Sequence, residues 1–187
     1  MLSKRNKILL AVVPLLFFAF AARGEIVNVV NSGSDDFNKF DDLFKKYGGQ
    51  FGVPWKWLKA ICMNESSLGK AKSVAVGLSN PNDIKNSVSS DGLSWGLMQV
   101  TLTTARALEG SVITAVYLND PENSVRLAAK VCAENIERFG MDDRESVIRA
   151  YNGGPNFMNR AQARANTAIY YSRFLANLAI IETKQGS

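Results

Sequence analysis

A chain of 187 residues suits one hydrophobic core, and 47% hydrophobic against 21% charged residues keeps it clear of the disordered regime. The formal charge of +5 is no nucleic-acid footprint, because Lys4, Arg5 and Lys7 supply three of those charges and leave +2 from Arg23 onward. No histidine occurs and Cys62 and Cys132 are the only cysteines, which removes Ser-His-Asp and Cys-His mechanisms and most zinc sites.

The basic Lys4-Arg5-Asn6-Lys7 precedes an apolar run from Ile8 to Ala22 with small residues at Ala19, Ala21 and Ala22. Residues 1–24 therefore read as a signal peptide. The run is short of the roughly 20 residues of a membrane span, so a thin or tilted anchor is the alternative. Either places the body outside the cytoplasm. Residues 25–35 read as a polar-ended linker, and 36–187 as the folded domain.

From Asp36 the pattern is helical, with Phe37, Phe40, Leu43, Phe44 and Tyr47 at three- and four-residue steps and Gly48-Gly49 as its expected end. A second helix begins near Pro54 and turns Trp57, Leu58, Ile61 and Cys62 inward. Residues 69–95 are rich in Ser, Asn, Gly and Asp and read as a long irregular lobe. A short helix over 101–108 follows, then a strong one from Asp120-Pro121-Glu122 to Phe139 with Gly140 as its stop. Arg144 to Tyr151 makes another helix, and Asn166 to Ile181 the last. No stretch shows sustained strand alternation, so the fold class is all-α. The two thiols, both on predicted helices, read equally as a disulfide closing a long loop or as two buried small hydrophobes.

Glu65 lies four residues after Ile61 and three after Cys62, so it continues the buried stripe of the second helix. A carboxyl group removed from water has a raised pKa and holds a proton it can donate near neutral pH. The competing reading is a helix-end glutamate that reaches out beside Lys59 or Lys70. Ser94-Trp95-Gly96-Leu97-Met98-Gln99-Val100 interleaves polar groups with apolar ones, which suits a sugar with hydroxyl edges and C–H faces. It also admits a reading as ordinary core. Ala150-Tyr151-Asn152-Gly153-Gly154-Pro155 is a helix end that serves equally as a binding turn or a cap.

In chain order these runs resemble the soluble lytic transglycosylase family, relatives of goose-type lysozyme. Glu65-Ser66 is similar to that family's catalytic Glu-Ser, Gly96-Leu97-Met98-Gln99 to its Gly-Leu-Met-Gln signature, and Ala150-Tyr151-Asn152-Gly153 to its Ala-Tyr-Asn-Gly motif. Thr167-Ala168-Ile169-Tyr170 resembles its final Thr-x-x-Tyr element. The resemblance covers roughly residues 38–178 and implies a lysozyme-like domain acting on peptidoglycan glycan strands without metal or cofactor. It implies that Glu65 is the catalytic acid and base, with Ser66, Ser90, Gly96, Met98, Gln99, Tyr151, Asn152 and Tyr170 contacting substrate. The implied product is a 1,6-anhydromuramyl end, because the muramyl 6-hydroxyl takes the place of the second carboxylate used by most glycosidases. Asp83 or Asp91 acting as that second carboxylate would make the enzyme a hydrolysing muramidase. A non-catalytic wall-binding assembly protein is the rival from another class. A housekeeping enzyme, a gap-opener for a secretion or conjugation apparatus, and a phage lysis or entry protein all fit this leader and body.

Overall fold

The computed structural model describes residues 34–185, and the expected signal peptide or anchor at 1–24 and most of the expected linker lie outside them. The regular structure of the described residues is almost wholly helical: α1 (Ser34–Asn38), α2 (Asp41–Phe51), α3 (Trp55–Ser66), α4 (Lys72–Ser79), α5 (Ile84–Ser87), α6 (Leu102–Glu109), α7 (Ala115–Asn119), α8 (Pro121–Phe139), α9 (Arg144–Gly153) and α10 (Ala161–Gln185). A hairpin of two-residue strands, β1 (Ser94–Trp95) and β2 (Val100–Thr101), pairs antiparallel with Trp95 opposite Val100.

α3 is the hub. Leu58, Ile61 and Cys62 are completely buried on it, packed with Phe44 of α2, Leu127 and Ala128 of α8, Ile148 of α9 and Phe174 of α10. α10, α2 and α8 all pack on α3, and α9 lies against α8 and α10. Polar fastenings reinforce this arrangement. Lys59 of α3 is fully buried, with its ammonium 2.7 Å from Asp41 of α2, while Gln185 of α10 donates to the same carboxylate at 3.0 Å. Burial lowers the Lys59 pKa, and the Asp41 charge opposes that shift. Burial alone would raise Glu109 at the end of α6, but Arg126 and Lys130 of α8 hold it down to about 2.

Three boundaries differ from the periodicity, each for a local reason. The first predicted helix is two, broken at Lys39-Phe40, and α2 runs through Gly48-Gly49 to end at Gly52, whose φ of 68° supplies the left-handed cap. Gly48 does not stop the helix; it lets the returning chain close in, since a Cβ there would lie 2.7 Å from the Val53 carbonyl. The lobe over 69–95 is only partly irregular, because it carries α4 and α5. The side chain of Asn119, at the end of α7, donates to the Pro81 carbonyl at 2.9 Å and to Ser87 Oγ at 2.8 Å, a tertiary hold that local composition does not encode. α10 starts five residues before Asn166, where Ala161, Gln162, Ala163 and Arg164 favour helix without an apolar stripe to announce it. α8 is as the sequence predicts, with Asp120 accepting from Asn123 N–H at 2.8 Å and Gly140 capping the end. Cys62 and Cys132 are both free and buried, and burial pushes the Cys62 thiol up to about 12.

Candidate active site

Glu65 is the penultimate residue of α3, and the helix is stopped immediately behind it. Ser67, Leu68 and Gly69 have φ of 50°, 56° and 85°, a run of left-handed residues that only one glycine relieves. Ser66 holds this reversal together. Its hydroxyl donates to the Cys62 carbonyl at 3.2 Å and accepts the Gly69 N–H at 3.0 Å, and its carbonyl accepts the Ala71 N–H at 3.0 Å. Ser66, expected among the substrate contacts, is 1% exposed and shapes the chain behind the acid.

The Glu65 side chain is half-buried, and neither lysine of the competing reading reaches it. Lys59 pairs with Asp41, and Lys70 lies 3.5 Å from Asp36. Tyr170 of α10 comes instead: its hydroxyl donates to Glu65 Oε1 at 2.7 Å. Desolvation raises the Glu65 carboxyl from 4.5 to about 7; the Tyr170 hydrogen bond opposes that rise and the Asp91 charge adds to it. The C-terminal end of a helix carries partial negative charge, which acts in the same direction as desolvation. Burial drives Tyr170 and Tyr151 well above the ordinary phenol range, so both are neutral hydroxyls.

The Gly-Leu-Met-Gln run is the four-residue loop of the β1–β2 hairpin. Gly96 and Gln99 both have left-handed φ, 75° and 50°, and Gln99 closes the loop by donating its side-chain amide to the Gly96 carbonyl at 2.9 Å. The glycine is obligatory for a reason other than ligand approach: a Cβ at Gly96 would overlap the Leu118 carbonyl oxygen of α7. Gly96, expected with Met98 among the substrate contacts, is buried against protein, and Met98 has no exposed surface. Met98 contributes its backbone. Its N–H donates to Ser124 Oγ of α8 at 3.0 Å, and its carbonyl accepts the Tyr151 hydroxyl at 2.8 Å. The hairpin is thereby tied to α8 and to the end of α9.

Of the other expected residues, Gln99 and Tyr151 are half-buried and Ser90 and Asn152 are exposed. Ser90 lies on the lobe turn where Ser89 Oγ donates to Asp91, which also accepts the Leu93 N–H at 2.9 Å. Asp83 is spent on capping α5 through Asn86, which leaves Asp91 as the lobe carboxylate whose charge is felt at Glu65. Two surface depressions, beside Trp55 and beside Trp57, exclude Glu65 from their linings. Sequence reasoning passed over Asn64 and Asn177, which flank this centre; the only available signals were adjacency to Glu65 and a seven-residue step from Tyr170.

A helical, lysozyme-like domain that shelters one proton-holding carboxyl at a helix end, braced by a neutral tyrosine, has the build of an enzyme of the cell-wall glycan. The family model described as the transglycosylase SLT domain matches residues 42–174, and the chain belongs to this family, whose substrate is peptidoglycan. No curated protein matches it closely enough to narrow the assignment.

Proposed function

We propose that the chain is a lytic transglycosylase that cleaves the β-1,4 bond from N-acetylmuramic acid to N-acetylglucosamine, with Glu65 as acid and then base. The supporting observation is the raised pKa, about 7, of a half-buried carboxyl fixed by Tyr170. With Oε1 accepting from Tyr170, the proton belongs on Oε2, free to move to the glycosidic oxygen. As the bond between that oxygen and muramyl C1 breaks, the muramyl 6-hydroxyl oxygen bonds to C1. Glu65, now ionised, removes the hydroxyl proton and returns to its starting form. No external nucleophile is consumed, and one carboxyl performs both transfers. Tyr151 is assigned to the glycan by its electrostatic contact with Glu65, and Gln99, Asn152 and Ser90 by their places in the family's motifs.

The test is digestion of purified sacculi followed by mass analysis of the ends. Anhydro ends, one water lighter than reducing ends, are the expected product, and Glu65→Gln abolishes them without loss of the fold. Reducing ends alone would reject this reading and favour the second one, hydrolysis, for which the charge of Asp91 beside Glu65 is the specific support. Under either reading the substrate lies outside the cytoplasm, in keeping with the basic and apolar leader at residues 1–24. Membrane fractionation with N-terminal sequencing distinguishes a cleaved signal from a retained anchor.

A further inference from the structure

The hydroxyl that meets Glu65 comes from a helix whose own placement is governed by an amide pair. Asn64 directly precedes Glu65 on α3, and its Nδ2 donates to the main-chain carbonyl of Tyr170 at 3.1 Å. Its Oδ1 accepts from Asn177 Nδ2 at 2.8 Å. Asn177 lies seven residues beyond Tyr170 in α10, nearly two helical turns, so both project from the same face toward α3. The direction of these bonds is forced by chemistry. The Tyr170 carbonyl only accepts, so Asn64 must present its NH₂ there, its oxygen must face Asn177, and Asn177 must donate.

The Tyr170 carbonyl lies mid-helix, where the α-helical pattern already supplies it with a backbone N–H. The bond from Asn64 therefore adds nothing needed for α10 to be a helix. What it fixes is the rotation and axial position of α10 against α3 at the one residue whose side chain returns to the neighbouring Glu65.

We propose that Asn64 and Asn177 are positioning residues, a two-amide clamp that sets the Tyr170 hydroxyl on the Glu65 carboxyl. Asn177 acts from two hydrogen bonds away, holding Asn64 in the one amide orientation that grips α10. The catalytic significance of the clamp rests on the reading of Glu65 given above, but its effect on Glu65 is measurable without turnover. The groups that face Glu65 are Tyr170 from α10, Tyr151 from α9, Asp91 from the lobe and Cys62 on α3 itself. Of these, the clamp bears on Tyr170 alone, whose bond favours the ionised carboxylate. Loosening it displaces the Glu65 titration upward.

The experiment compares Asn177→Leu, close in volume and unable to donate, in two full-chain backgrounds, native and Tyr170→Phe. The Glu65 carboxyl is titrated by carbon NMR with selective labelling, alongside the pH dependence of sacculus cleavage and the melting temperature. In the native background the Glu65 midpoint should rise by about 0.3 to 1 pH unit, the scale of one weakened hydrogen bond, with the falling limb of activity moving with it. In the Tyr170→Phe background the same substitution should leave the midpoint where it is. An unchanged midpoint in the native background, or an equal shift in both, overturns the clamp. Asn64→Leu gives an independent second reading by the same criterion. If no variant or parent cleaves sacculi, the NMR titration still decides the clamp, and the failure falls on the proposed function.

Discussion

Replacing the acid with its uncharged isostere should stabilise the protein at neutral and alkaline pH. Glu65 titrates near 7 in the folded chain against 4.5 as its ordinary value, a difference of about 2.5 pH units, or about 3 kcal/mol. Below about pH 4 the carboxyl is protonated in both the folded and the unfolded chain, and glutamate and glutamine are nearly equivalent. Between about 4.5 and 7 only the unfolded chain releases its proton, so rising pH draws the equilibrium toward unfolding. Above about 7 both forms are ionised and the full penalty stands. Glu65→Gln removes the titration while its amide oxygen still accepts from Tyr170. Urea unfolding of parent and variant at pH 4, 6 and 8 should show the variant's advantage growing to about 3 kcal/mol. A difference that stays constant across that range would refute the claim that Glu65 is held protonated by its surroundings, whatever the variant's activity.

Gly96→Ala should unfold the hairpin region or the whole domain, since the new methyl collides with the Leu118 carbonyl at a backbone of positive φ; a loss of about 3 kcal/mol or more in thermal melting is expected. Lys59→Met should cost about 3 to 5 kcal/mol by leaving Asp41 charged and unpaired in the core, and adding Asp41→Leu should recover most of it, measured by denaturant titration. Thiol reagents at pH 8 should leave Cys62 and Cys132 unmodified until denaturant is added, because both are fully buried and the Cys62 thiol is pushed up to about 12.

The sequence was most legible where one local signal sufficed. Asp120, Pro121 and Gly140 delimited α8 because caps and glycine stops are chemistry of a few adjacent residues. Glu65 was legible as an inward carboxyl because Ile61 and Cys62 define its face of α3. Its hydroxyl partner was not, except through the family pattern, because Tyr170 lies 105 residues away and only the crossing of α10 over α3 unites them. The two-residue strands offered too little alternation to detect, and α4 and α5 hide in a composition that reads as loop until Asn119 of α7 holds them. Ser66, Gly96 and Met98 show a further limit. A motif names residues that matter without saying which ones touch the ligand and which ones carry the frame behind it.

The left-handed run at Ser67, Leu68 and Gly69 also fixes where the lobe departs. It leaves the body at a reversal locked by Ser66, and it rejoins at a hairpin locked by Gly96 against α7. Between those two fixed posts the lobe is held at one further place, by Asn119 of α7, and it brings the Asp91 charge to Glu65. An exchange of the lobe would therefore change the setting of the acid as well as the surface beside it, unless the incoming segment returned a carboxylate to the place of Asp91.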